Sequence, residues 1–176
     1  MKYTILLLIL LASCKDQASS VPDLVFIGPV TPAQDTPAPT PSETIPVEIK
    51  KSWAEEFMEL VNAHRTSLGL RSLVNSPDLE TIALKHSKDM ALGIVAFGHT
   101  GFSGRCTEGR LALGGGNWCS ENVAMGQNSP QAVFNSWMNS SGHRANIESS
   151  RGSHTGLGYY KGASGKYYWT QIFLQL

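Results

Sequence analysis

Apolar positions that recur three or four residues apart predict three amphipathic helices in the second part of the chain. The first helix has its stripe at Phe57, Leu60, Val61, His64 and Leu68. Gly69 is placed to end it. The second helix opens with Ser76 as its cap and Pro77 as its first residue. Its stripe is Leu79, Ile82, Ala83, His86 and Met90. Ser129 and Pro130 open the third helix, which carries Val133, Phe134 and Trp137 on one face.

Two runs near the C-terminus, residues 156–160 and 167–173, are typical of strands. The glycine-containing turn at 162–165 lies between them and indicates a hairpin. Residues 122–125 form a shorter apolar run that is a further candidate strand. Glycine is dense from 95 to 117, which predicts a long loop. Three helices, a long loop and an antiparallel pair together predict an α+β domain in which helices cover a sheet.

The beginning of the chain has a different pattern. Lys2 precedes an apolar run over residues 3–11. A membrane-spanning helix needs about 20 apolar residues, so this run is typical of the central part of a signal peptide. It ends in Leu11-Ala12-Ser13-Cys14, which resembles the lipobox of bacterial lipoproteins. The resemblance implies that residues 1–13 are removed and that Cys14 is acylated, for example by palmitate. Ordinary secretion with an unmodified Cys14 is the alternative.

A proline-rich spacer separates this segment from the predicted domain. Seven of the nine prolines lie between residues 22 and 46, among threonine, serine and alanine. Such a composition buries too little apolar surface to offset the entropy lost on ordering, so we expect an extended linker. The chain therefore divides into a signal peptide (1–13), the anchor cysteine with its disordered linker (14–50), and one domain (51–176).

Charge and cysteine content narrow the function classes. Fourteen basic and fourteen acidic residues give a formal net charge of zero, which argues against nucleic acid as a partner. Three cysteines in a secreted chain leave one without an intramolecular partner. If Cys14 carries lipid, Cys106 and Cys119 remain as a disulfide pair in an oxidising compartment. Two free thiols are the alternative.

Several segments of the predicted domain resemble the CAP superfamily, also called the SCP domain, in its bacterial lipoprotein branch. Ser120-Glu121-Asn122 is similar to the family's Gly-Glu-Asn box, and residues 137–147 match its most distinctive bacterial motif. Further matches, in the expected order, lie at 60–65, 69–70, 86–91, 97–99, 156–158 and 169–171. The resemblance implies an α-β-α sandwich with a central antiparallel sheet. It also implies a surface cleft in which two histidines and two glutamates can bind a divalent metal.

His99, Glu121 and His143 fall on three of the four cleft positions, whereas Ser140 stands where the second glutamate is expected. Ser120 stands where the family has a glycine before the box glutamate. The backbone angles at this position can therefore differ from those of the family. Two imidazoles and one carboxylate would suit zinc or another divalent cation with an open position for water. Alternatively, Glu121 orients one imidazole. A hydrogen-bonded His/Glu cluster without metal is the third interpretation.

The sequence favours an extracellular binding module, anchored to a membrane through its N-terminal lipid, over an enzyme. Its cleft would hold a lipid, peptide or glycan ligand and can also hold a divalent metal. One alternative is a protease-like hydrolase that uses a metal-activated water with Glu121 as base, or Ser140 or Ser141 activated by a histidine. Another is an adhesive surface protein. Lys15 after the cysteine, rather than aspartate, indicates the outer membrane if the cell has two.

Overall fold

The structure is a computed structural model that describes residues 51–176. The expectations for the signal peptide, Cys14 and the linker lie outside these residues. The helices are α1 (Trp53–Ser67), α2 (Pro77–Ala91), α3 (Phe102–Ala112), α4 (Pro130–Met138) and α5 (Ser141–Ile147). The strands are β1 (Val74–Asn75), β2 (Cys119–Met125), β3 (His154–Lys161) and β4 (Tyr167–Leu174). Within this part of the chain, no helix is both long and apolar enough to cross a membrane.

The four strands form one sheet in the order β1-β3-β4-β2. β3 and β4 are the predicted hairpin, with Tyr160 opposite Tyr168, and β2 pairs antiparallel to β4, with Glu121 opposite Ile172. Only β1 is parallel to its neighbour, β3. β2 is therefore an edge strand, and its outer edge is open to whatever the helices and loops place beside it.

Helices cover both faces of the sheet. Alternate residues of β4 point to opposite sides, so this strand contributes side chains to two cores. Trp169 and Phe173 join a core made with α1, α4 and α5, which contribute the buried side chains Phe57, Val61, Val133, Trp137 and Ile147. Ile172 and Leu174 join a second core with Leu79, Ile82 and Ala83 of α2. The architecture is thus the expected α-β-α sandwich.

The predicted helix caps and the hairpin are confirmed, but the predicted loop at 95–117 is wrong in part. Its centre is α3, which the sequence conceals because it has little apolar periodicity and contains two glycines. α3 buries only Cys106 and Gly109. A Cβ at Gly109 would lie 2.9 Å from Leu79, so glycine lets α3 approach α2 closely. The short elements α5 and β1 were also not predicted.

The predicted disulfide between Cys106 and Cys119 is present. It joins α3 directly to the first residue of the edge strand β2. Because α3 has little apolar contact of its own, this covalent link is a main reason that the helix stays beside that strand. It closes a loop of a size for which chain entropy gives about 3 kcal/mol of stabilisation.

Candidate functional site

A surface groove lies at the outer edge of β2, between α3 and α5. It has a volume of about 250 Å³ and is lined by His99, Phe102, Cys119, Ser120, Glu121 and Asn146. Successive residues of β2 point to opposite faces of the sheet, so Glu121 reaches the α3 side while Ser120 reaches the α5 side. The groove therefore collects polar groups from both faces at the open edge.

Glu121 is the buried centre of this site. Its side chain is 1% exposed, and Arg105 of α3 donates to both of its oxygens, at 2.6 Å from Nε to Oε2 and 2.8 Å from Nη2 to Oε1. His99 Nδ1 lies 2.8 Å from Oε1. Removing a carboxylate from water is costly unless a charge partner compensates for it. The two-point contact with Arg105 supplies that partner.

The Glu121 contact determines how His99 faces the groove. A carboxylate paired with a guanidinium can only accept hydrogen bonds, so the proton of the neutral imidazole is on Nδ1 and donates to Oε1. Nε2 then carries a lone pair. Because the His99 side chain is 52% exposed, that lone pair is available to a ligand's O–H or N–H group.

A second histidine supports the loop that carries His99. His86 is buried in α2, and its Nε2 donates to the carbonyl oxygen of Gly98 at 2.8 Å. Burial lowers the pKa of His86, and the positive charge of Arg105 acts in the same direction. His86 is therefore a satisfied core histidine, and it fixes the backbone next to His99.

His143 lies on the α5 side of the same edge. Burial lowers the pKa of its imidazole, and the nearby His99 lowers it further. Its carbonyl oxygen accepts from Asn122 Nδ2 at 3.1 Å, and Asn146 Nδ2 donates in turn to Asn122 Oδ1 at 2.8 Å. The asparagine of the Ser-Glu-Asn box therefore ties α5, which carries His143, to β2, but His143 does not line the groove.

The two serines that depart from the family pattern lie in different places. Ser120 is within the regular strand β2, opposite Phe173, so a side chain is tolerated there without left-handed backbone. Its hydroxyl is buried and has no hydrogen-bond partner among residues 51–176. Ser140 precedes α5 as its N-cap residue, without a side-chain capping bond, and does not line the groove.

The geometry also tests whether the expected metal ligands fit an ion. In the described domain, no three His, Cys, Asp or Glu side chains are arranged to share one ion. Both oxygens of Glu121 already accept from Arg105, and a dication beside them would be repelled by the guanidinium. The set His99, Glu121 and His143 does not fit a three-ligand site as it is arranged here, and metal binding stays a prediction.

The sequence reasoning missed Arg105, which lies inside the stretch predicted as a loop. One signal could have found it. Arg105 directly precedes one cysteine of the predicted pair, and Glu121 follows the other by two residues. A disulfide between those cysteines brings the two opposite charges near each other.

A larger groove, of about 540 Å³, lies elsewhere, between the start of α1, α2 and β3. Its two carboxylates already have local partners. Glu55 accepts from the backbone N–H of Ser52 at 2.7 Å, and Glu80 accepts from Asn75 at 2.9 Å. These contacts are helix-capping and turn interactions, whereas the groove at β2 has a hydroxyl without a partner among residues 51–176 and a half-exposed imidazole.

The lowered pKa values of His86 and His143 predict how stability depends on pH. The unfolded imidazoles take up protons near pH 6.5, whereas the folded ones resist protonation. The free energy of unfolding should therefore fall as the pH drops below about 6.5. Urea unfolding at pH 7.5 and 5.5 measures this loss, which should be smaller in His86→Gln than in the control His154→Gln. Equal losses in both variants would contradict the assignment for His86.

Comparisons with known proteins agree with this fold. The sequence model of the cysteine-rich secretory protein family, abbreviated CAP, matches residues 58–173. YkwD of Bacillus subtilis (strain 168) is 33% identical over 125 residues, which are 70% of this chain and 47% of YkwD. This chain therefore spans less than half of that relative.

Solved structures show the same similarity. An extracellular protein containing an SCP domain from Bacillus anthracis superposes with a TM-score of 0.61 at 26% identity, over 70% of this chain and 40% of that one. An outer surface protein from Borrelia burgdorferi has a TM-score of 0.59 at 19% identity, over 69% and 90% respectively, and shares the fold. With the family model covering most of the described domain, this chain belongs to the cysteine-rich secretory protein (CAP) family, whose members are typically extracellular or secreted.

Proposed function

We propose that this protein is an extracellular binding module that uses the groove at the edge of β2 to hold a polar ligand, a peptide or a glycan. The observation that carries the proposal is Ser120, a residue of the groove whose buried hydroxyl has no partner among the described residues. A buried hydroxyl without a hydrogen bond costs about 1–3 kcal/mol, and a ligand's polar group would remove that cost.

The other groups of the groove support a polar ligand. The lone pair of His99 Nε2 accepts from a hydroxyl or amide, and the ring of Phe102 provides an apolar contact surface. The volume of about 250 Å³ is below the usual range for drug-sized ligands, about 300–1,000 Å³, so it suits one sugar unit or one peptide residue. An acyl chain would need a longer cavity, which disfavours lipid as the ligand of this groove.

A hydrolase is the competing function. His99 is oriented by Glu121, as a general base would be. However, neither Ser140 nor Ser141 is hydrogen-bonded to a histidine within residues 51–176. We expect no peptidase or esterase turnover above that of a His99→Ala, His143→Ala double variant. Turnover by the wild-type protein that the double variant loses would establish the hydrolase instead.

We further propose that Cys14 is acylated and holds the domain at the surface of a membrane, the outer one in a two-membrane cell. The support is sequence-level: an apolar leader, a lipobox-like motif and a proline-rich spacer. Two or more acyl chains give stable anchoring, since each buried methylene contributes about 0.8 kcal/mol.

Membrane fractionation tests the anchor. Cys14→Ala should move the protein from the membrane fraction to the soluble envelope fraction or the medium, whereas Ser13→Ala, beside it, should leave the protein with the membrane. Unchanged membrane association of Cys14→Ala would argue against acylation.

A further inference from the structure

We propose that Arg105 is the resident cation of the groove. Arg105 occupies the position at Glu121 that a divalent ion would need, so the wild-type groove does not take up Zn²⁺. Through Glu121, Arg105 also holds His99 in the tautomer that has its proton on Nδ1. Arg105 is a positioning residue in this account. The proposal goes beyond ligand binding, and its test needs no ligand.

The contacts of Arg105 carry the first part of the proposal. Its guanidinium forms three hydrogen bonds: two to Glu121, and one from Nη1 to the carbonyl oxygen of Thr100 at 2.8 Å. Its side chain is 11% exposed, so the charge is screened by little water. The Arg105–Glu121 pair is neutral as a unit, and this leaves no net negative charge at the groove to attract a dication.

Two further contacts hold Arg105 in that place. The adjacent Cys106 is covalently joined to β2, two residues before Glu121. The Thr100 contact ties the same guanidinium to the residue after His99. One side chain therefore connects α3, the edge strand and the loop of His99. If Arg105 positions His99 in this way, the loss of Arg105 should change the tautomer of His99 as well as the affinity for Zn²⁺.

The experiment compares Zn²⁺ uptake by the full-length protein in detergent micelles with that of Glu121→Gln and of three Arg105 variants. Isothermal titration calorimetry measures the affinity, and imidazole ¹⁵N chemical shifts report which ring nitrogen of His99 carries the proton. Arg105→Met removes the charge and keeps the apolar stem. Arg105→Lys keeps a positive charge without the two-point contact. Arg105→Met with Glu121→Gln removes both charges.

We expect wild type to show no saturable uptake at micromolar Zn²⁺ and to show His99 as the Nδ1–H form. Arg105→Met should bind Zn²⁺ at least about tenfold more tightly than wild type, because one positive charge a few ångströms away is removed. It should also show a mixture of His99 tautomers. Arg105→Lys should still exclude Zn²⁺, and the double variant should lose the gain.

Either of two results would overturn the proposal. One is stoichiometric Zn²⁺ uptake by wild type that Glu121→Gln weakens, since Glu121 would then be a metal ligand despite Arg105. The other is a folded Arg105→Met protein that binds Zn²⁺ no better than wild type and keeps the same His99 tautomer. If Arg105→Met does not fold, the comparison of wild type with Glu121→Gln alone decides between the proposal and a metal site.

Discussion

Replacing Gly158 by alanine should destabilise the domain by at least about 4 kcal/mol, at the extreme end of single substitutions. A Cβ at Gly158 would lie 1.9 Å from the backbone nitrogen of Leu84 and 2.3 Å from the carbonyl carbon of Ala83. Both atoms belong to the backbone of α2, so no side-chain rotation can relieve the clash. The helix would have to move away from the sheet and open the core that it forms with Ile172.

Urea unfolding with Gly104→Ala as the matched control measures this effect. Gly104 lies within α3, and a Cβ there would meet no atom within 4 Å. Alanine in a helix is favoured over glycine by about 0.5–1 kcal/mol, so the control should be neutral or slightly stabilising. A Gly158→Ala protein as stable as wild type would mean that α2 does not pack directly on β3.

Arg105→Met should cost about 3–5 kcal/mol, because it leaves the carboxylate of Glu121 buried without a charge partner. The double variant Arg105→Met, Glu121→Gln should recover part of this loss, since a neutral amide is less costly to bury than a charge. Chemical denaturation at pH 7.5 of wild type, Arg105→Met, Glu121→Gln and the double variant measures these free energies of unfolding. We expect a large coupling free energy between Arg105 and Glu121 in this double-mutant cycle.

An exposed ion pair provides the control for charge removal. Lys85 and Asp89 are 2.7 Å apart on α2, but the Lys85 side chain is 71% exposed. Exposed pairs of this spacing are worth about 0.3–0.5 kcal/mol, so Lys85→Met should have little effect. Equal losses for Lys85→Met and Arg105→Met would contradict the special role given to burial at Glu121.

The sequence was informative about the fold where local chemistry is strong. Ser76 and Ser129 accept hydrogen bonds from Leu79 and Ala132 respectively, as helix caps do, and a proline follows each serine. These are short-range interactions that the sequence pattern predicts directly. α3 could not be predicted in this way, because what holds it beside the sheet is the disulfide and a close contact at Gly109 rather than an apolar stripe.

The site was only partly predictable for a related reason. Resemblance to the CAP family placed His99 and Glu121, and the structure joins them through one hydrogen bond. Arg105 has no family motif to mark it, and its importance depends on a long-range contact. The groove of Ser120 and Asn146 depends on β2 being the edge strand, which is a property of the sheet order and not of any single segment.

The most direct test of the binding proposal is an amide ¹H–¹⁵N NMR titration of the full-length protein with short peptides and oligosaccharides. We expect one of these ligand classes to shift the signals of Ser120, Glu121 and the Asn146 side chain. Ser120→Ala and His99→Ala should abolish the shifts, and His154→Ala should not. If neither class perturbs the β2 edge, or if the shifts fall at the groove of Ser52, Glu80 and Tyr159 instead, the site proposed here is not the binding site.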